Sequence, residues 1–193
     1  GVGSCDFWAA RAKNLGGDLR EKATDTYIQF YDSPLGRLAM RSDGSALIGL
    51  DLASQQAAGA DVAGTRPQEK SLPAFQDTAR WLDTYFRGRA PSFTPKLKLS
   101  GSDFQKRVCE IMLTIPFGKT ITYGEIAARI ARERGIPRMS AQAIGGAVGA
   151  NPILIIVPCH RVIGAGGNLT GYGAGMERKI QLLTLEKVDM SPL

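Results

Sequence analysis

The chain carries a single histidine, His160, and only three cysteines, Cys5, Cys109 and Cys159. An odd, widely spaced set of cysteines builds no disulfide framework and suits a reducing cytoplasm. With no Cys-x-x-Cys pair and one imidazole, the usual ligand sets for a structural zinc are missing, so neither a metal nor another cofactor is expected. No apolar run reaches membrane-spanning length and no secretory h-region opens the chain, which predicts a soluble protein with no membrane partner. The chain begins at Gly1 rather than Met, so its first few residues are expected to be a processed end.

Net charge is absent from one half only. Residues 1–93 hold 11 Lys/Arg against 11 Asp/Glu, whereas residues 94–193 hold 13 against 7, so the whole net charge of +6 lies in the second half. A basic excess confined to one half points to a polyanionic partner, most often nucleic acid, although basic residues can also merely solvate helices.

The 193 residues suffice for one domain or two small lobes. Residues 1–26 form an extension in which nothing carries chemistry; a short helix or an arm is equally consistent with the Phe7-Trp8 pair and its small and charged neighbours. From Tyr27 a meander is predicted: strands at Tyr27–Tyr31 and Arg37–Arg41 flank Ser33-Pro34-Leu35-Gly36, and Asp43-Gly44 turns into Ala46–Leu52. Residues 53–72 read as a loop. Phe75, Ala79, Leu82 and Phe86 recur at helical spacing, giving an amphipathic helix Pro73–Arg87 on that sheet. The first lobe therefore spans 27–93, and 94–101 is a linker.

The second lobe, 102–187, opens with a capping box, Ser102 with Gln105, before a helix with Phe104, Val108, Ile111 and Ile115 on one face. A second box, Thr122 with Glu125, starts a helix Tyr123–Arg134, and Ser140 caps a third, Ala141–Gly149. Two short helices joined by a turn resemble a helix-turn-helix. The third is coated with Ala and Gly, and only Gln142 could reach a base edge. Such a surface permits close backbone approach, as in a minor groove, or simply tight packing within the fold. The apolar run Ile153–Val157, bounded by Pro152 and Pro158, reads as a buried strand delivering Cys159 to its end. A Gly-rich loop, Gly164–Gly175, and a last helix from about Glu177 to Lys187 follow, with 188–193 as a tail.

Cys159 beside the only histidine is a candidate nucleophile and base. On a strand the two side chains would point apart, so the proton would pass through a water, with a carboxylate orienting the imidazole from its far side. An inert buried cysteine is the commoner fate of a lone thiol, and the Pro-Cys-His-Arg setting argues against it here.

Ala143-Ile144-Gly145-Gly146-Ala147, Asn151-Pro152, Pro158-Cys159-His160-Arg161-Val162-Ile163-Gly164 and Leu169-Thr170-Gly171-Tyr172 together resemble the O6-alkylguanine-DNA alkyltransferases. Ser33-Pro34-Leu35-Gly36 and Gly118-Lys119-Thr120-Ile121-Thr122-Tyr123 fit the same pattern, so the resemblance covers roughly residues 27 to 187. It implies an α/β (α+β) chain with a ribonuclease-H-like antiparallel sheet and helix, then a mostly helical lobe with a helix-turn-helix and a short active-site strand. It implies a monomer that repairs double-stranded DNA by direct reversal in one turnover. The alkyl group of O6-alkylguanine, with O4-alkylthymine as a second lesion, would pass irreversibly to Cys159. His160 and Glu186 match the activating network, and Asn151 the residue fixing the turn between recognition helix and active-site strand. Tyr123 matches the tyrosine that crowds the rotated phosphate and protonates the leaving base. Arg138, Ser140, Gln142, Ala143 and Arg161 fall among the implied DNA contacts, and Tyr172, Val157 and Gly173 in the implied base pocket.

One position departs. Gln142 stands where the family usually has the arginine that fills the gap left by the extruded base, and it brings no charge and a poorer stack. Arg138 lies just upstream and could supply charge. Two other functions remain to be weighed. A non-catalytic module for alkylated bases would lack the acceptor cysteine, and a helix-turn-helix transcription factor would want long side chains on the recognition helix.

Overall fold

The computed structural model describes residues 26–53 and 68–193. The N-terminal stretch through residue 25, with Cys5 and the Phe7-Trp8 pair, and residues 54–67 of the expected loop lie outside the described residues.

Three strands form the predicted meander: β1 (Tyr27–Ser33), β2 (Gly36–Ser42) and β3 (Leu47–Leu52). The β1–β2 turn is braced from within, because Ser33 Oγ donates to the Gly36 carbonyl at 2.6 Å and accepts from Leu35 N–H at 3.1 Å. Gly36 takes φ +117°, a conformation that side-chain-bearing residues avoid. At the second turn Asp43 Oδ1 accepts from the N–H groups of Ser45 and Ala46. A two-residue strand, β4 (Gln68–Glu69), pairs parallel to Tyr27-Ile28 and completes the order β3-β2-β1-β4. Sequence pattern places that stretch in a loop, since two residues carry no periodicity.

Helix α1 (Pro73–Phe86) lies on the sheet and buries Phe75, Thr78, Trp81, Leu82 and Tyr85. Ala79 and Phe86, read from spacing as part of its buried face, sit half-buried at the margin instead. The expected linker is pinned rather than free: Leu47 N–H donates to Lys96 O and Lys98 N–H to Leu47 O, so this segment extends the sheet edge beyond β3.

In the second lobe both capping boxes close as written. Ser102 and Gln105 open α2 (Asp103–Leu113), and Thr122 and Glu125 open α3 (Tyr123–Arg134). Each satisfies two N–H groups that a helix start otherwise leaves unpaired. Gly135, left-handed at φ +63°, ends α3, and Ser140 accepts from Gln142 and Ala143 N–H to start α4 (Ala141–Gly149). A two-stranded parallel ribbon, β5 (Ile121–Thr122) with β6 (Val162–Ile163), ties the start of α3 to the segment after Cys159. Helix α5 (Met176–Leu185) closes the chain. One continuous core joins both lobes, from Leu47, Leu50 and Phe75 through Ile111 and Met112 to Ile144, Val148 and Leu182. Burying each such side chain contributes about 1.5–3 kcal/mol, so the lobes stabilise one another.

The strand expected at 153–157 does not form. Ile153 makes an isolated bridge to Leu50, and residues 154–156 turn. Asn151 is the cause: its Nδ2 donates to Val157 O at 2.9 Å and its Oδ1 accepts from Ile153 N–H at 3.0 Å, folding the run back on itself. Ile155 is left at φ +70°, a costly conformation for a β-branched residue that a tight surround must hold. The run is apolar because it is buried in a turn.

Candidate active site

Cys159 opens a 3-10 turn, Cys159–Arg161, rather than ending a strand. Cys159 is only 5 % exposed and lines a hollow of about 200 Å³ with Val148, Asn151, Leu154, Gly171, Tyr172 and Gly173. The hollow shares Val148, Gly149 and Gly171–Gly173 with a larger cleft of about 740 Å³. That cleft runs along Tyr123, Gln142 and Gly145 on one side and Gly164, Ala165 and Thr170 on the other. Its size is within the ~300–1,000 Å³ typical of small-ligand sites.

Behind the thiol lies a buried polar network centred on Glu186, the residue that ends α5. Its Oε2 accepts from Tyr85 Oη at 2.7 Å and from His160 Nε2 at 2.5 Å. Its Oε1 accepts from Arg161 Nε at 2.7 Å and from Gly118 N–H at 2.9 Å. Arg161 Nη1 also donates to Ile115 O at 2.7 Å. Burial pulls the carboxyl upward, but the hydrogen bond from His160, the charge of Arg161 and the Gly118 N–H hold it down at about 2, so Glu186 is ionised. Burial drives His160 the other way, below its ordinary value, and the imidazole is neutral. Donating through Nε2 leaves Nδ1 as the acceptor, and Nδ1 is buried with no hydrogen-bond partner among the described residues.

Burial raises the Cys159 thiol, opposed by a hydrogen bond from Asn151, the charge of Lys179 and nearby backbone N–H groups. A thiol of this kind is protonated at neutral pH until a base takes its proton. Burial likewise keeps Tyr123 and Tyr172 protonated.

Of the residues expected at the site, Cys159, Asn151, Tyr172 and Gly173 meet around the inner hollow, with His160 and Glu186 directly behind it. Tyr123, at the start of α3, lines the outer cleft and donates to Thr170 O at 3.2 Å. Arg138, Ser140, Gln142 and Ala143 are all exposed along the turn and first helical turn of α4. Two expectations are corrected. Arg161 is no DNA contact: its side chain is buried and spent on Glu186 and Ile115, because an ionised carboxylate in the core needs a counter-charge. Val157 does not line the pocket; its side chain is fully buried, and its carbonyl accepts from Asn151 Nδ2 and from Cys159 N–H. Tyr85 and Gly118 were missed by sequence reasoning. The one available signal was that a tyrosine on a buried helix face needs a polar partner.

The glycines of α4 are not required by packing within the fold. A Cβ at Gly145, Gly146 or Gly149 would meet nothing within 4 Å. Glycine in a helix costs about 1 kcal/mol relative to alanine, and the fold itself does not require it here.

Fold and site together define a helix-turn-helix protein that sets a buried cysteine nucleophile, backed by a neutral histidine and an ionised carboxylate, at the end of a cleft. The family described as 6-O-methylguanine DNA methyltransferase matches twice, its ribonuclease-like domain over residues 26–99 and its DNA binding domain over residues 103–188. The chain belongs to this family. It is 46 % identical over 156 residues to the methylated-DNA–protein-cysteine methyltransferase of Mycobacterium leprae, covering 81 % of this chain and 89 % of that one. To the protein of the same name from Haemophilus influenzae it is 38 % identical over 169 residues, covering 86 % and 88 %. Among solved structures, Mycobacterium tuberculosis OGT in complex with DNA is similar with a TM-score of 0.69 and 44 % identity, over 83 % of this chain and 92 % of that one.

Proposed function

We propose that this chain repairs duplex DNA by moving the alkyl group of O6-alkylguanine onto Cys159, once per molecule, acting as a monomer. The observation that carries the reading is Cys159 lining the inner hollow with the Glu186–His160 pair behind it.

An alkyl group on O6 is out of reach within the base stack, so the nucleotide must rotate out, at a cost of about a few kcal/mol that contacts along α4 offset. The bare Gly face of α4 suits close approach to a minor groove. The extruded base enters the outer cleft past Tyr123 and Gln142, and Tyr172 and Gly173 wall the hollow in which O6 and its alkyl carbon meet the sulfur. A water relays the thiol proton to Nδ1 of His160, and the resulting imidazolium is held by ionised Glu186. The sulfur forms a bond to the alkyl carbon as the carbon–O6 bond breaks in line. Tyr123 releases Thr170 and gives its proton to the departing guanine, and the imidazolium proton returns through solvent to the phenolate. The thioether offers water no good leaving group, so the protein is consumed. O4-alkylthymine presents the same alkyl–oxygen bond and is proposed as a second lesion, with a reducing cytoplasm as the setting that keeps the thiol available.

Cys159→Ala tests the assignment. The variant should bind alkylated duplex yet accept no alkyl group, while the parent gains a methyl on the peptide containing Cys159 by intact mass and peptide mapping. Methyl transfer by Cys159→Ala, or product formed well beyond the amount of protein, would refute it.

A further inference from the structure

Arg178, in the first turn of α5, joins the two lobes at the pocket lid. Its Nε donates to Leu35 O at 3.1 Å, in the β1–β2 turn, and its Nη1 donates to Ala174 O at 3.0 Å, near the end of the Gly-rich loop. The Leu35 carbonyl is a fixed post, since Ser33 locks that turn from both sides. Ala174 follows Tyr172 and Gly173, which wall the hollow over Cys159, and Gly175 N–H donates to Tyr172 O at 2.9 Å. On the other side of Tyr172, the buried Lys179 holds Thr170 O and Val162 O at 3.2 and 2.7 Å. Adjacent cations of one helix thus grip the loop before and after its wall residues. Both use charge-assisted bonds, and Arg178 alone of the two reaches the first sheet.

We propose that Arg178 is a positioning residue that fixes the distance of Tyr172-Gly173 from Cys159 by bracing the lid against Leu35, and that the first lobe thereby sets the size of alkyl group the pocket transfers. The inference rests on the alkyl-transfer reading above. It gives a task to the Ser33-Pro34-Leu35-Gly36 turn, which lies outside the chemistry itself. A small group needs the wall close to hold its carbon in line with the sulfur, whereas a bulky one needs the wall to yield.

The test compares single-turnover rate constants for O6-methylguanine and O6-benzylguanine in the same duplex. Arg178→Ala should raise the benzyl-to-methyl ratio by about tenfold, the scale at which a pocket discriminates small changes in apolar bulk. Arg178→Lys, which can reach only one of the two carbonyls, should fall between. Ser33→Ala, which frees the post without touching the lid, should shift the ratio in the same direction by a smaller factor. Thermal melting confirms that each variant is folded. A ratio within twofold of the parent in folded Arg178→Ala, or equal slowing of both substrates, overturns the proposal. Should Arg178→Ala not fold, an unchanged ratio in Ser33→Ala does so. A parent protein that transfers neither group would instead sink the alkyl-transfer reading.

Discussion

Replacing Glu186 by glutamine keeps the shape of the side chain and removes its charge, which isolates what the carboxylate does. Four donors converge on it: Tyr85 and His160 on one oxygen, Arg161 and Gly118 on the other. An amide has only one acceptor atom. If its oxygen faces Arg161 and Gly118, its NH2 group confronts Tyr85 and His160. The tyrosine can turn to accept, but the imidazole must move its proton to Nδ1, the nitrogen that should receive the thiol proton. Holding the carboxyl at about 2 instead of its ordinary 4.5 corresponds to about 3 kcal/mol at neutral pH. Leaving Arg161 buried without a counter-charge gives a similar figure, about 3–5 kcal/mol. Urea unfolding of Glu186→Gln at neutral pH should therefore show a loss of about 3–5 kcal/mol. Its single-turnover transfer rate should fall by about 10²–10⁴. Adding Arg161→Met should recover part of the stability and none of the rate. A loss under about 1 kcal/mol, the size of an ordinary neutral hydrogen bond, together with a rate within tenfold of the parent, would refute the reasoning.

Acid should unfold the parent through the same network. Both His160 and Glu186 titrate lower in the folded protein, so the unfolded chain binds more protons and stability falls as pH falls. The loss begins below the ordinary histidine value of 6.5 and steepens between 4.5 and about 2; urea midpoints measured down this range should follow that course, and Glu186→Gln should lack the lower limb. A parent whose stability is flat from neutrality to pH 4 would contradict it. Gln142→Arg should speed repair of duplex substrate more than reaction with the free alkylated base, because only the duplex must fill a gap after extrusion. Equal acceleration of both would remove Gln142 from the flipping step.

Helix starts were the most legible part of the chain. Ser102 with Gln105, Thr122 with Glu125, and Ser140 each act within three residues of themselves, so local chemistry determines them. The turn at Ser33–Gly36 was legible for the same reason. The segment after Asn151 was not, because an apolar run between prolines looks alike whether it pairs as a strand or turns inside a core. What decides between them is one side chain bonding two backbone groups, at Ile153 and Val157. The resemblance places Arg161 among the DNA contacts, yet its partner stands 25 residues away in the core. Tyr85 lies 75 positions from His160, and no spacing rule links them. Cys159, His160, Asn151, Tyr172 and Glu186 were named by the resemblance, whereas Tyr85 and Gly118, which also bond to Glu186, were visible only in three dimensions.

The two ends of this network lie 101 residues apart, with Tyr85 on the helix of the first sheet and Glu186 just past the final helix. A chain still emerging from synthesis already owns its sulfur and the imidazole beside it but lacks the carboxylate that orients that imidazole. Competence to sacrifice that atom arrives last, only after α5 has docked, and this spares a half-made molecule from wasting its one chance on stray electrophiles.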